Sequence, residues 1–223
     1  MELLPHSYTN HTTREGSVVT KSYQGLDASQ RCAREAAALS ALAGRLPVPP
    51  VINRSDTILR LGFIPGVPGQ ELVDDGLADQ VLRACGQLLR RIQEIDSAKL
   101  DLPSRHEDSA VLVHGDYGPQ NILLDAAAAA VIAVVDWEWV HGGDPVEDVA
   151  WCEWIVRMHH PESTASLSSF FDAYGRRPPW PARQQAMVEQ CRALLALSER
   201  WERRGEAVRL WQQRIQATES WTE

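Results

Sequence analysis

Residues 114–125, with the sequence HGDYGPQNILLD, decide both the fold and the chemistry that this chain can carry. They follow the apolar run 111–113 and contain a second apolar run at 122–124, so the polar residues form a loop between two predicted strands. Asp116 precedes Asn121 by five positions in this loop. This spacing lets the Asp116 carboxylate face a hydroxyl nucleophile while the Asn121 amide oxygen turns back toward a metal ion.

Three further residues fit the same chemistry. Asp136 follows the apolar run 131–135, where a strand is predicted to end beside the loop and could supply a second metal ligand. Lys21 lies in the strand-like N-terminal region, and Glu35 lies on the helix predicted after it. Phosphoryl transfer needs oxygen ligands for Mg²⁺, a carboxylate for the hydroxyl proton, and a cation on the nucleotide phosphates that an acidic group holds in place. The residues therefore indicate a phosphoryl-transfer site.

The rest of the pattern predicts strands, one helix, a break and then a mostly helical half. The predicted elements are strands in 1–25 with a turn at Arg14-Glu15-Gly16, a helix from Ser29 to Gly44, strands near 51–52 and 57–64 with a turn at 53–56, a helix over 79–95, strands at 111–113, 122–124 and 131–135, and helices after Asp144 interrupted at Pro161 and at 178–181. The stretch Pro65-Gly66-Val67-Pro68-Gly69 is the predicted hinge.

This order predicts an α+β fold with two lobes and a ligand cleft. Residues 1–66 form the predicted N-lobe, in which nucleotide-binding strands are joined by one helix. Residues 67–223 form the predicted C-lobe, with the catalytic loop and a helical substrate-binding part.

Three motifs resemble those of the aminoglycoside phosphotransferase and choline kinase-like family. They are H-G-D-x4-N at 114–121, V-V-D-W-E at 134–138 and G-D-P-x2-D at 143–148. The D-x4-N spacing followed by an aspartate also occurs in the protein-kinase signature. The resemblance implies a bilobal protein-kinase-like fold and the Mg²⁺-dependent transfer of the γ-phosphoryl group of ATP, or of GTP, to a hydroxyl of a small molecule.

The resemblance also implies a role for individual residues. Asp116 matches the catalytic base, and Asn121 and Asp136 match the Mg²⁺ ligands. Lys21 matches the phosphate-binding lysine, and Glu35 matches its partner on the helix.

Supporting roles are expected for three more residues of these motifs. His114 and Asp148 are expected to support the loop, and the Gly-Asp-Pro turn makes Asp144 a local helix cap.

The loop between the first strands departs from a protein-kinase-like glycine-rich loop. Residues 6–11, with the sequence HSYTNH, contain no glycine. We therefore expect backbone N–H groups and the side chains of Ser7, Thr9 or Asn10 to contact the nucleotide phosphates. The chain is also short for the family, which predicts a trimmed helical substrate lobe.

Composition narrows the class of partner. The formal net charge of -8 argues against a general affinity for nucleic acid or anionic membranes, and an acidic surface favours a cationic acceptor. The four cysteines are far apart and form no C-x-x-C pair, which predicts buried free thiols. No signal peptide or membrane-spanning run is evident, so we expect a cytoplasmic protein. The sequence carries no indication of oligomeric state.

Several alternatives remain open from the residues alone. A non-catalytic nucleotide-binding protein on the same fold is the main one, and a metal-dependent hydrolase built on His114 and Asp116 is a weaker one. Lys21 could be an ordinary solvated lysine, and Glu35 could pair only along its own helix, for example with Arg31.

The acceptor is also open, since aminoglycosides, other antibiotics, choline-like alcohols, sugars and amino-alcohols all fit. Four acidic residues form either a solvated face or a site for an amine-bearing substrate: Glu138, Glu147, Glu153 and Asp172. The paired residues His159 and His160 are interpreted as a solvated helix end. Four tryptophans are interpreted mainly as core and cleft wall, with one or two facing the substrate pocket: Trp137, Trp139, Trp151 and Trp154.

Overall fold

The computed structural model describes residues 2–3, 10–25, 27–100, 102–103, 111–201 and 205–223. An antiparallel sheet in the order β1-β2-β3-β5-β4 forms the N-terminal part, with a single helix after its third strand. Its elements are β1 (Glu2–Leu3), β2 (Asn10–Glu15), β3 (Val18–Tyr23), α1 (Ala28–Leu42), β4 (Val51–Arg54) and β5 (Ile58–Gly62).

Strand β3 lies in the middle of this sheet, between β2 and β5. Because side chains alternate across a strand, Lys21 and Tyr23 lie on the same face, and both are buried. The turn before β3 is placed at Gly16 and Ser17, where Gly16 has φ +58° and Glu15 still belongs to β2. The predicted turn at 14–16 therefore lies one to two residues too early.

Helices dominate the C-terminal part, as predicted. They are α2 (Gly69–Asp74), α3 (Ala78–Gln93), α4 (Val146–His159), α5 (Leu167–Tyr174), α6 (Trp180–Trp201) and α7 (Glu206–Ser220). A 3-10 segment at Pro161–Ser166 fills the predicted interruption, and α6 starts inside the proline-rich stretch, where Pro181 lies in its first turn. Helix α3 packs on α5, and α6 packs on both α4 and α7.

Two small antiparallel sheets hold the loops that carry the sequence motifs. Strand β7 (Val111–Val113) pairs with β10 (His141–Gly143). Strand β8 (Ile122–Leu124) pairs with β6 (Val67–Pro68) on one side and β9 (Val131–Val134) on the other. The loop 114–121 joins β7 to β8 and the loop 135–140 joins β9 to β10, so both loops cross between the same two sheets and contact each other.

Three details differ from the sequence predictions. Strand β4 continues to Arg54, so the predicted turn at 53–56 begins only after it. Part of the predicted hinge is strand β6, because Val67 and Pro68 pair with β8. Strand β10 was not predicted, because His141-Gly142-Gly143 has no apolar alternation and becomes a strand only by pairing with β7.

The buried apolar residues form two clusters. One large apolar cluster extends from α1 through α3 to α5, and a second one, rich in tryptophan, lies between α4, α6 and α7. All four cysteines are free and buried, as predicted. Among the described residues, no helix combines the length and apolar character needed to cross a bilayer.

Candidate active site

Lys21 is the centre of a buried charge network. Its Nζ lies 2.6 Å from Glu35 Oε2 and 2.8 Å from Asp136 Oδ1, so β3, α1 and the loop after β9 meet at one atom. Burial alone would lower the pKa of Lys21, but the carboxylates of Asp136 and Glu35 outweigh it and raise this pKa above its ordinary value. The Tyr23 hydroxyl also donates to Glu35 Oε2. Lys21 is therefore a fixed positive charge at the site and not a solvated strand lysine.

Asp136 is held in an unusual backbone conformation. Its φ is +67°, in the left-handed region, which costs a residue other than glycine about 1–3 kcal/mol. Burial would raise the pKa of Asp136, but the charge and hydrogen bond of Lys21 outweigh it and hold this pKa below its ordinary value. The side chain keeps 29% of its surface exposed, so a charged carboxylate remains accessible to a bound cation.

The backbone at the start of the loop is fixed by α4. The N–H groups of His114 and Gly115 donate to the two carboxylate oxygens of Asp148, at 2.7 and 3.0 Å. His114 Nε2 donates to the Val135 carbonyl oxygen at 2.9 Å and so ties this loop to the next one. Burial lowers the pKa of His114 to about 4, so the ring is neutral at physiological pH. His114 and Asp148 thus occupy the supporting places that the sequence predicted.

Asp116 is bound at both of its carboxylate oxygens. Asn121 Nδ2 donates to Asp116 Oδ2 at 2.9 Å and to the Asp116 backbone oxygen at 2.7 Å, and Trp151 Nε1 donates to Asp116 Oδ1 at 2.8 Å. Burial, reinforced by the charge of Asp136, raises the pKa of Asp116 to about 7. A carboxylate with such a pKa is suited to general base catalysis near neutral pH.

The donor set suits a hard divalent cation. Asn121 uses its Nδ2 within the loop, so its Oδ1 is the atom that a cation could take. The Asp136 carboxylate is the second oxygen donor of the predicted pair. Oxygen atoms of this kind are the ligands that Mg²⁺ prefers.

The loop 6–11 is the least complete part of the predicted site. Ser7 and Thr9 lie outside the described residues. The Asn10 side chain is buried, where its Nδ2 donates to Glu138 Oε2 at 2.9 Å and its Oδ1 accepts from Arg31 at 3.3 Å. This geometry does not support the predicted phosphate contact of the Asn10 amide, because both of its polar atoms already have protein partners.

The acidic residues do not form one face. Glu138 is 2% exposed and paired with Arg31 at 2.7 Å, and Glu153 is fully buried between Arg157 and Arg183. The two glutamates are internal ion-pair partners, so the interpretation of these residues as part of a solvated or substrate-binding face is wrong. His160 is also buried, at 3.0 Å from Asp74, so the interpretation of this residue as solvated is wrong as well.

A cavity of about 460 Å³ adjoins the loop, between the N-terminal end of α4 and the side of α6. Gly115 and Trp151 line it on the loop side. Its polar lining on the other sides includes Asp144, Glu147, Gln185, Glu189 and Gln190. Three of these five side chains are carboxylic acids, so the cavity favours a ligand with positive charge.

Sequence reasoning missed three contacts of the site. Arg31 was considered only as a partner of Glu35, but it pairs with Glu138. Trp151 was interpreted only as part of the core and cleft wall, but it donates to Asp116. Gln190 was not considered, and it donates to the Gly115 carbonyl oxygen at 3.1 Å. A signal existed for Trp151, because it lies three residues after Asp148 on one helix and so shares its face.

A family model and a curated relative match this chain in sequence. The family model described as "APH: Phosphotransferase enzyme family" matches residues 4–110 and 100–187. Among the curated proteins, mouse acyl-CoA dehydrogenase family member 10 is 37% identical over 73 residues, which is 33% of this chain. The chain spans only 6% of the length of that relative.

Several solved structures share the fold at low sequence identity. Macrolide 2'-phosphotransferase MphH from Brachybacterium faecium has a TM-score of 0.67 at 19% identity, over 100% of this chain and 93% of its own. Wild-type aminoglycoside 2'-phosphotransferase-IIIa, in its GDP complex, has a TM-score of 0.77 at 13% identity, over 98% and 92%.

This chain combines a small antiparallel sheet with a helical part and shares its fold with both proteins, so the predicted protein-kinase-like α+β fold is confirmed. The family model covers well over half of the 223 residues and includes every motif of the loops at 114–121 and 135–140. This chain belongs to the APH phosphotransferase enzyme family.

Proposed function

We propose that this protein is a Mg²⁺-dependent small-molecule kinase that transfers the γ-phosphoryl group of ATP or GTP to a hydroxyl of an amine-bearing acceptor. The observation that carries the proposal is the position of Asp116. Its carboxylate has a pKa of about 7, which the nearby charge of Asp136 helps to raise, and it accepts a hydrogen bond from Trp151, which lines the acidic cavity.

Each residue has a distinct part in this reaction. Lys21, fixed by Glu35 and Asp136, contacts the α- and β-phosphates. The Asn121 Oδ1 and the Asp136 carboxylate would hold Mg²⁺, which offsets the negative charge of the β- and γ-phosphates when it is bound. Asp116 orients the acceptor hydroxyl for in-line attack on the γ-phosphorus.

The phosphoryl group passes directly from the nucleotide to the acceptor, without a covalent phosphoenzyme. A bond forms between the acceptor oxygen and the γ-phosphorus as the bond from the γ-phosphorus to the β–γ bridging oxygen breaks. The nucleoside diphosphate leaves with that electron pair, and the hydroxyl proton passes to Asp116. Catalysis then depends on positioning and charge stabilisation, for which the fixed charge of Lys21 is already in place.

The acidic lining of the cavity is the basis for the acceptor class. Asp144 and Glu147 from the start of α4 and Glu189 from α6 bring carboxylates to the lining of a space large enough for a small molecule. Solved relatives of the fold include a gentamicin complex, a kanamycin and GDP complex, and a macrolide phosphotransferase. Aminoglycosides and macrolides both carry amines and are the first acceptors to test.

We also propose that the reaction takes place in the cytoplasm. ATP and GTP are available there, and reducing conditions suit four buried free thiols.

The test is a panel assay with ATP or GTP, Mg²⁺ and acceptors that include kanamycin, gentamicin, streptomycin, a macrolide and choline, with mass-spectrometric detection of phosphorylated product. Asp116→Asn is expected to lower kcat by about 10²–10⁴-fold, because it removes the proton acceptor, while nucleotide affinity measured by calorimetry is retained. The matched control is Asp75→Asn at an exposed position after α2, which is expected to behave as wild type.

Two outcomes would contradict the proposal. Undiminished turnover in the Asp116→Asn variant would remove the base assignment. Mg²⁺-nucleotide binding without phosphorylation of any acceptor by the wild-type protein would favour the alternative, a non-catalytic nucleotide-binding protein on the same fold.

A further inference from the structure

Asp116 receives two neutral hydrogen-bond donors, one on each carboxylate oxygen. The donor on Oδ2 is the Asn121 amide, at 2.9 Å, and the donor on Oδ1 is the Trp151 indole N–H, at 2.8 Å. Two bonds to different oxygens fix the rotation of the carboxyl plane, which a single bond leaves free. The orientation of the proposed base is therefore set jointly by the loop itself and by a residue of α4.

The Trp151 ring is held in place from several directions. It is 5% exposed and stacks on Trp154, with ring centroids 4.4 Å apart and planes at 5°. Trp211 of α7 stacks at 5.8 Å from Trp154 and 6.5 Å from Trp151. Trp154 Nε1 donates to Thr218 Oγ1 of α7 at 2.8 Å. The indole that contacts the base is therefore part of a packed stack that the last helix completes.

The same helix face fixes the loop backbone. Asp148, one turn before Trp151 on α4, accepts the N–H groups of His114 and Gly115. Helix α4 thus places the loop backbone and the Asp116 side chain from one rigid element, so the two cannot shift independently.

We propose that Trp151 is a positioning residue for phosphoryl transfer, whose indole N–H holds Asp116 Oδ1 so that the carboxylate presents its remaining lone pairs to the acceptor hydroxyl in the adjoining cavity. This inference rests on the proposed kinase function. The indole N–H is a donor only, so it orients the base without competing with it for the hydroxyl proton. A small misorientation of a catalytic group is enough to reduce the rate strongly.

The test replaces Trp151 by Phe, which keeps an aromatic ring in the stack and removes the N–H. With the acceptor found in the panel assay, kcat is expected to fall by about 10–100-fold, since a hydrogen bond to a charged group is lost. The KM for the acceptor and the dissociation constant of the nucleotide are expected to stay within about twofold of wild type, because the ring still lines the cavity.

Trp154→Phe is the matched control. It removes an indole N–H bond of the same length, 2.8 Å, from the same stack, but that bond goes to Thr218 and not to Asp116. It is expected to lower stability as Trp151→Phe does while kcat stays within about threefold of wild type. Equal kcat losses in the two variants would mean that the stack acts only structurally and would overturn the inference.

A second variant and a spectroscopic measurement keep the test independent of how well the Trp151→Phe protein folds. Site-specific incorporation of 3-benzothienylalanine at position 151 replaces the N–H by sulfur in a ring of the same shape, and it is expected to lower kcat as Trp151→Phe does. In ¹H–¹⁵N spectra, the indole N–H signal lost in Trp151→Phe is expected to shift upfield in Asp116→Asn and to stay in place in Asp75→Asn.

The two hypotheses fail in different ways. Absence of turnover by the wild-type protein with every acceptor would overturn the kinase function, and the role of Trp151 with it. An active wild type whose Trp151 variants keep its kcat, or an indole signal that ignores Asp116→Asn, would overturn only the inference about Trp151.

Discussion

At the scale of a single residue, two opposing effects set the pKa of Asp116. Burial and the charge of Asp136 raise its pKa to about 7, while the hydrogen bonds from Trp151 and Asn121 act in the opposite direction. The charged form that can accept a proton is thus only partly populated near neutral pH in the free protein.

This balance predicts the pH dependence of the reaction. Because the base must be deprotonated and its pKa is raised, kcat/KM is expected to fall about tenfold per unit as the pH drops below about 7. Rates measured between pH 5.5 and 8.5 check this. Nucleotide affinity over the same range is the control, since the pKa of Asp136 is held below its ordinary value and this residue stays charged. A rate that stays constant down to pH 5.5 would contradict the raised pKa of Asp116.

Single residues also show what the sequence could reveal of the site. Asp116, Asn121 and Asp136 were singled out from their spacing and from the short apolar strands that flank the two loops, and their catalytic and metal roles stay predictions. Lys21 was singled out from the order of strand and helix and from Glu35, but a solvated lysine stayed open because its burial depends on contacts with Glu35 and Asp136 in the folded protein. The ion pair of Arg31 with Glu138 joins residues 107 positions apart, and no local pattern predicts it.

At the scale of elements, helices were easier to predict than strands. Helix α3 was predicted to within two residues at its end because its apolar residues recur at helical spacing. Strand β10 was missed because pairing with β7, and not its own residues, makes it a strand. Helix α4 was predicted as a helix. Its main contribution to the site is a pair of hydrogen bonds, in which its Asp148 carboxylate accepts from the loop backbone.

Removing that contact is expected to weaken both the fold and the reaction. Asp148→Ala leaves the N–H groups of His114 and Gly115 buried without their acceptor, at a cost of about 2–4 kcal/mol in the free energy of unfolding. Urea denaturation measures this cost, and the panel assay is expected to show a parallel loss of turnover.

The control for this prediction is Glu94→Ala. Glu94 forms an exposed i,i+4 pair with Arg90 at 3.6 Å, so its loss is expected to change the free energy of unfolding by less than about 0.5 kcal/mol. An Asp148→Ala variant as stable as Glu94→Ala would show that water replaces the carboxylate and that the loop does not depend on α4.

At the scale of the whole molecule, charged contacts join the N-terminal sheet to the C-terminal part around the site. Lys21 binds Asp136, Glu138 accepts from both Arg31 and Asn10, and Arg200 at the end of α6 lies 3.1 Å from Asp27. The two-lobed order of elements was predictable from the sequence, but these long-range contacts were not. The boundary between residues 66 and 67 stays a prediction.

Because these contacts join the two parts of the chain around the proposed nucleotide site, we expect nucleotide binding to stabilise the whole protein. A ligand that binds only the folded state at about 100 times its Kd adds roughly 2.7 kcal/mol. For a chain of 223 residues this raises Tm by about 5–10 °C. Thermal unfolding with and without Mg²⁺, in ATP or in GTP, measures the shift, and the nucleotide that gives the larger shift at equal concentration is the preferred co-substrate.

The Asp136→Asn variant separates this effect from unspecific salt stabilisation. It removes the negative charge of a proposed cation ligand that also pairs with Lys21. The Mg²⁺-dependent part of the Tm shift is therefore expected to disappear. Asp75→Asn, which makes the same chemical change at an exposed position, is expected to keep the full shift. A full shift in both variants would mean that Asp136 holds no cation, and the metal role would then have to be assigned to other oxygen ligands of the cleft.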